Sequence, residues 1–395
     1  MKKLSIVALV LVLAMVFTGC HIDEIRLNDA FKKTQDITSL ESEMNLRFTI
    51  EAEGLPEEQQ QKFQEISEVL NLASLNIKQK MLQNEEKDAV KAMADIEFDA
   101  AELGMNIDTS VWIEAVFSEE DFKLVEIIKI PDIAKLLLSL NGLPSKDYIL
   151  YDIKDIMSEI QGDISGFSNY YKNVNSKVKT LQESFLKSFN PGFTAVKYKG
   201  QKLYYNEKQN IYEVRLDDAK FKKLLGNFVN YSLDNEEVLE FLEEYFEFIM
   251  NIATSNISEN QPEQEEKLES LVNVDELLPE LKEKFSAFMD IYKDEKIIGD
   301  EGIVIEYTVN EDGYIVREKG NFDFIIDLKT LGKAFGAEEF EVEELEGVFK
   351  FNIEFDSRSF NINEEIEIEM PEVDGDNSFN VLDLLLLNSV VESEI

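Results

Sequence analysis

The chain has very few residues of the kinds that build disulfide frameworks, zinc sites and histidine-dependent active sites. Its 395 residues include one Cys and one His. One cysteine excludes a disulfide scaffold within the chain, and one cysteine with one histidine cannot complete a Cys/His zinc site. The same scarcity removes Cys–His nucleophilic pairs and argues against any enzyme that relies on histidine.

Positive charge is also scarce. Lys and Arg together number 39 against 81 Asp and Glu, which gives a formal net charge of −42. A surface this negative repels the phosphate backbone of nucleic acids. The sequence therefore predicts no nucleic-acid partner.

Sequence motifs of catalysis are missing as well. The chain has no Gly-x-Ser-x-Gly elbow, no Walker-type phosphate loop and no His-Glu-x-x-His. Pairs of acidic residues abound, but so many Asp and Glu produce pairs at any spacing by chance. General acid–base catalysis by two carboxylates needs a set separation and one raised pKa, and the sequence provides neither. We expect a non-catalytic protein without catalytic residues.

Apolar material, by contrast, is sufficient for a substantial core. Hydrophobic residues make up 44% of the chain and aromatic residues 10%, with 27 Phe and 13 Tyr. This composition argues against wholesale disorder despite the charge. The length suits one large domain or two ordinary ones.

The N-terminus carries the most informative pattern. A basic start, Met1-Lys2-Lys3, precedes a largely apolar run over residues 4–17. That run is too short to span a bilayer comfortably and has the proportions of a signal-peptide core. The one cysteine of the chain, Cys20, follows directly behind the small residue Gly19.

Residues 17–20, Phe-Thr-Gly-Cys, resemble a bacterial lipobox, although Leu usually stands where Phe17 stands. The resemblance implies signal cleavage between Gly19 and Cys20, a diacylglyceryl thioether on Cys20 and often an N-acyl chain such as palmitate. Two or more acyl chains give stable anchoring. We expect a lipoprotein that is anchored in the cell membrane and faces outside the cytoplasm. An ordinary secretory signal with an incidental cysteine and an uncleaved signal anchor are the alternatives.

The remaining pattern predicts an α+β fold with a large antiparallel sheet. We expect a signal peptide over residues 1–19, an anchor-proximal tether and helix over 20–42, and one large domain over 43–395. Helical insertions are expected at about 133–189 and 217–292, with a polar linker at 254–266. Closely spaced alternating segments are typical of an antiparallel meander. Strands are expected at 44–52, 75–81, 93–101, 105–117, 122–130, 194–206, 211–216, 303–309, 314 onward, 322–328, 343–355 and 360–370.

This order of anchor, helix, meander, inserted helices and further meander resembles the lipoprotein-carrier (LolA-like) superfamily. Proteins of that superfamily fold a broad, curved antiparallel sheet into an open half-barrel, with helices over its concave apolar face. The resemblance implies a hydrophobic pocket between sheet and helices for a lipid or an acyl chain. The alternative is that the same apolar faces form a dry core.

A candidate calcium loop lies near the C-terminus. Oxygen-bearing side chains stand at positions 1, 3, 5, 9 and 12 of a twelve-residue loop, and the position-7 residue would supply its backbone carbonyl. In chain order the candidate ligands are Glu372, Asp374, Asp376, Ser378, Asn380 and Asp383. The alternative is an acidic, Asn-capped helix start that needs no metal.

Three functions compete on this sequence. The first is a lipid-anchored protein that holds a hydrophobic ligand between sheet and helices. The second is a structural or protein-interaction module of the cell envelope, with an acidic surface that would bind calcium if the C-terminal loop holds the ion. The third is a hydrolase with a carboxylate pair, which requires two acids to converge in a cleft.

Overall fold

The computed structural model describes most of the chain beyond its first 21 residues. The described ranges are 22–117, 122–140, 142–159, 188–204, 207–254, 274–334 and 346–381, with residues 174, 177, 178, 180, 181, 184 and 185.

Helices and strands alternate along these ranges. The helices are α1 (Ile22–Gln35), α2 (Glu57–Leu72), α3 (Asp132–Leu140), α4 (Ile153–Glu159), α5 (Asp218–Leu233), α6 (Glu236–Thr254), α7 (Val274–Ile291) and α8 (Leu328–Ala334). The strands are β1 (Ser39–Glu53), β2 (Ser74–Gln83), β3 (Ala89–Ala100), β4 (Met105–Phe117), β5 (Phe122–Lys129), β6 (Tyr148–Asp152), β7 (Val196–Tyr204), β8 (Glu207–Leu216), β9 (Ile298–Val309), β10 (Ile315–Asp327), β11 (Val348–Phe360) and β12 (Ser378–Asn380).

The strands hydrogen-bond in the order β12-β6-β5-β4-β3-β2-β1-β11-β10-β9-β8-β7. Sequence neighbours pair antiparallel, as in β3 and β4, where Ala89 faces Val116 and Ala100 faces Met105. Strand β12 pairs with β6 in parallel. The expected α+β class, with a large antiparallel sheet and helices inserted between its strands, is confirmed.

The chain divides into two compact units. The first contains the described residues of 22–36, 46–72 and 175–356, and the second those of 37–45, 73–174 and 357–381. Strands β1 and β11 each contribute residues to both units.

Helix α1 is part of the core of the first unit. Leu27 is fully buried, and Ala30 is 3% exposed. These residues and Phe31 recur at the spacing that gives a helix one apolar face, and the Phe31 ring meets Tyr307 edge-on at 5.1 Å. The other buried members of this core are Phe189, Val196, Tyr212, Val214, Leu216, Phe221, Leu224, Leu225, Ile298, Ile303, Ile305, Val309 and Ile315. The expected tether therefore includes a helix that the first unit needs for its own packing.

The second unit has a smaller core. Ala115, Phe117, Phe122 and Ile153 are buried together. The one Trp of the chain, Trp112, is 9% exposed, and its ring lies 6.2 Å from that of Tyr148.

Two expected helical regions are wrong in part. Residues 148–152 form strand β6, between β5 and β12, where the apolar pattern around Tyr148 predicted a helix. A short apolar run shows no periodicity that distinguishes a strand from a buried helix. Here the hydrogen bonds to the neighbouring strands make residues 148–152 a strand. The first part of the expected helical insertion at 217–292, where the apolar pattern over residues 217–252 indicated one long helix, is two helices. Asp234 ends α5, and the Asn235 side chain caps the backbone N–H groups of Glu237 and Val238.

The expected strand at 360–370 is also wrong. Strand β11 continues to Phe360 and the chain then turns, with positive φ angles of 51° at Asn361 and 57° at Asn363. Asn tolerates this left-handed conformation better than most residues. The turn diverts residues 361–370 from the sheet although their apolar and polar residues alternate. The expected linker at 254–266 lies outside the described residues, apart from Thr254.

Candidate functional site

The proposed lipidation site precedes the described part of the chain. Gly19 and Cys20 lie outside it, and α1 begins two residues after the cysteine. The first turn of α1 binds the edge strand β7. The Asp23 carboxylate accepts a hydrogen bond from the backbone N–H of Tyr198, and that of Glu24 accepts one from Ala195, both at 3.2 Å. Carboxylates of α1 thus satisfy N–H groups that the sheet edge would otherwise leave open.

The C-terminal loop closes on its own backbone. The Asp374 carboxylate accepts hydrogen bonds from the backbone N–H groups of Asp376 at 2.9 Å and Asn377 at 3.1 Å. Asn377 in turn donates to the Glu372 carbonyl at 3.0 Å, and the Ser378 hydroxyl donates to the Asp374 carbonyl at 2.7 Å. These bonds make an Asx-type turn before β12, in which Asn380 is opposite Leu150.

A lysine from elsewhere in the chain binds backbone carbonyl oxygens of this loop. Lys146 Nζ donates to the carbonyl oxygens of Gly375 and Ser378, both at 2.7 Å, and stands 5.0 Å from the Phe379 ring centroid. The Ser378 carbonyl is the position-7 ligand of the predicted calcium loop, so calcium binding would require the ammonium group to leave.

The calcium site stays a prediction, since Asp383 lies outside the described residues. Among the residues that are described, no group of three or more His, Cys, Asp or Glu could hold a metal ion.

Helix α3 exposes an apolar stripe that the sequence analysis missed. Its members recur at i, i+3, i+4 and i+7, the spacing of one helix face. They are Ile133, Leu136, Leu137 and Leu140, with exposed fractions of 50, 55, 55 and 73%. We call these four residues the α3 stripe. The spacing is visible in the sequence, but it does not tell which way the face points.

One polar residue of α3, Lys135, lies on the side of the helix opposite the stripe. Lys135 forms ion pairs with Asp147 at 2.7 Å and Asp132 at 3.4 Å, and its side chain is 20% exposed. The hydrogen bond to Asp147 raises the pKa of Lys135. Lys135 is partly buried together with Ala134 and Leu138, while the four members of the α3 stripe are exposed to solvent.

A cavity of about 310 Å³ in the first unit has polar walls. Its lining residues are Thr49, Glu51, Glu301, Asp323, Lys350, Phe351, Asn352 and Glu354. The Asp323 carboxylate accepts a hydrogen bond from the Glu301 backbone N–H at 2.9 Å, and Asn352 donates to the Glu301 side chain at 3.1 Å. A lipid or acyl chain needs an apolar lining, so this cavity is not the hydrophobic pocket that the resemblance implied.

Comparisons with known proteins give no family: no family model matches the chain, and no curated protein matches its sequence. In the part of the chain that the structure describes, no helix has the length and hydropathy to cross a membrane.

Proposed function

We propose that this chain is a non-catalytic lipoprotein, anchored in the cell membrane through Cys20 and facing outside the cytoplasm, which acts as a protein-interaction module of the cell envelope. The pattern of residues 1–20 supports the anchor and the location. The exposed α3 stripe supports the interaction and is the observation that carries the proposal.

The α3 stripe has the character of a docking surface. Four large apolar side chains, each at least half exposed, stand on one face of a nine-residue helix. Contiguous exposed apolar surface on a soluble domain marks an interaction site. Apolar residues at i, i+3, i+4 and i+7 are the anchors by which a helix enters an apolar groove or packs on a second helix. The partner class that fits is an envelope protein with such a groove or helix.

Packing in the first unit favours this function over a hydrophobic-ligand carrier. A carrier requires space between sheet and helices, whereas Leu27, Ile298 and Ile303 there have no exposed surface. Lipid binding stays the second hypothesis.

Site-specific photocrosslinking in the membranes of the producing cell tests the proposal. A photoreactive amino acid replaces Leu136 in one variant and Ile66 of α2, which is 60% exposed, in the matched control. We expect one discrete protein adduct from position 136 and none from position 66. Lipid adducts alone at position 136, or the same adducts at both positions, would refute the interaction module.

Native mass spectrometry of the chain distinguishes a hydrophobic-ligand carrier from an interaction module. Reproducible lipid-sized adducts that dissociate on denaturation would establish a carrier instead. A clean protein mass is the result that the interaction module predicts.

A further inference from the structure

We propose that the first unit rests directly on the membrane, with the β7 edge of its sheet against anionic lipid headgroups. This inference depends on the proposed anchor at Cys20 and adds an orientation and a lipid class to it. The four observations that carry it are the length of the tether, the fixed position of α1, the charge of β7 and the exposed apolar residues beside it.

The tether is too short to hold the unit away from the bilayer. One residue separates Cys20 from Ile22, where α1 begins. Two residue steps span at most about 7 Å. Since Leu27 is fully buried in the core of the first unit, α1 cannot swing outward as a spacer.

The N-terminal end of α1 is fixed against β7. Glu24 is 1% exposed and accepts its hydrogen bond from the residue before this strand, Ala195, while Asp23 binds Tyr198 within it. Strand β7 is the last strand of the sheet order on this side. An acyl chain on Cys20 would therefore enter the bilayer beside the β7 edge.

Positive charge is concentrated on this edge, against the acidic character of the chain. Residues 195–208 contain four lysines and one glutamate, a net charge of +3 where the whole chain carries −42. Lys197, Lys199 and Lys202 are exposed, and Lys199 also forms an ion pair with Glu213 at 3.1 Å. Lysines on an edge strand also prevent edge-to-edge pairing. That role does not account for their position beside the anchor.

The neighbouring apolar residues suit a lipid surface as well. Ile22 and Ile25 of α1 are 62 and 48% exposed, and Leu203 at the end of β7 is 73% exposed. Basic residues with exposed apolar side chains are typical of surfaces that lie on anionic bilayers.

Charges are screened over about 8–10 Å, so distant acids on the protein weaken the attraction at this edge little. The acids close to the edge include Asp23 and Glu24, which bind backbone N–H groups, and Glu213, which pairs with Lys199.

Fluorescence quenching on vesicles measures the orientation. The lipidated full chain is reconstituted in phosphatidylglycerol–phosphatidylcholine vesicles that contain a headgroup-linked quencher. Because Cys20 would carry the lipid, one introduced cysteine is the unique thiol for a fluorophore. Gln201→Cys places it on β7. Gln61→Cys is the matched control on α2, where Phe63 packs on Phe349 of β11 at 5.4 Å, four strands or about 19 Å from β7.

We expect strong quenching at position 201 and weak quenching at position 61. In the triple variant Lys197→Glu, Lys199→Glu and Lys202→Glu, repulsion should tilt the β7 edge away from the headgroups and reduce the quenching at 201, although the short tether keeps this edge near the anchor. Quenching at 201 should fall in the same way on vesicles of phosphatidylcholine alone. A triple variant with the same change of charge, at Lys62, Lys284 and Lys293, should retain it.

Equal quenching at the two labels, or quenching at 201 that the β7 charge reversal does not reduce, would overturn the inference. The intact mass of the protein, which shows whether Cys20 carries lipid, distinguishes a wrong orientation from a missing anchor. If Cys20 carries lipid and the β7 edge is not quenched, the orientation is wrong and the anchor stands; if Cys20 is a free thiol, the proposed function fails first.

Discussion

Replacement of Leu27 by alanine tests whether α1 belongs to the folded first unit. The substitution removes three carbon atoms from a side chain with no exposed surface. At about 0.8 kcal/mol for each buried carbon group, the lost transfer free energy is about 2.4 kcal/mol. The cavity left behind adds to this, so we expect the free energy of unfolding to fall by about 3–4 kcal/mol.

Urea unfolding followed by far-ultraviolet circular dichroism measures the change. Ile25→Ala is the matched control, because Ile25 lies on the same helix but is 48% exposed. A half-buried Ile25 would lose about half of the transfer free energy, roughly 1.2 kcal/mol, and alanine is the better helix former, so the control should lose less than about 1 kcal/mol. A Leu27→Ala loss no larger than that of Ile25→Ala would show that α1 is a peripheral tether and would remove the basis of the membrane orientation.

Three further predictions follow from single side chains. Asp218→Asn should lower the unfolding free energy by about 2 kcal/mol at pH 7. Burial alone would raise the pKa of Asp218, but hydrogen bonds from Lys222 and two backbone N–H groups lower it, so the loss measured by urea titration should shrink as pH falls below about 4. Glu318→Gln should raise the free energy of unfolding at pH 7 but not at pH 4. Burial raises the pKa of Glu318, so its ionised form is disfavoured in the folded protein. A variant and parent of equal stability at pH 7 would contradict this. Lys146→Met should loosen the C-terminal loop and lower the midpoint of urea unfolding, followed by Trp112 fluorescence. An unchanged midpoint would show that the lysine contacts are dispensable.

Much of the sheet could be predicted because its strands show the alternation that one buried face imposes. Strand β4 has the predicted bounds, and β2, β3 and β5 differ from prediction by a few residues. Strand β6 could not be predicted, since its five residues are too few to show a period. The three residues of β12 are a strand because β6 lies beside them, and a contact between distant parts of the chain leaves no local pattern.

The candidate sites show the same limit. The spacing of the α3 stripe could be read from the sequence, but which face of the helix is exposed depends on how α3 packs on distant parts of the chain, and no local pattern records that. The oxygen spacing of the C-terminal loop was visible, whereas the approach of Lys146, more than 200 residues earlier in the chain, was not. The role of α1 in the core could not be predicted because its apolar face is short and polar residues surround it.

The most direct test of the central claim is the chemical state of Cys20. The protein is purified from the membranes of a bacterial host, digested, and analysed by mass spectrometry beside a Cys20→Ser variant. The account predicts an N-terminal peptide that begins at Cys20 and carries a diacylglyceryl thioether, and a variant that lacks this lipid. An unmodified Cys20 thiol, or a mature chain that begins after it, would contradict the account.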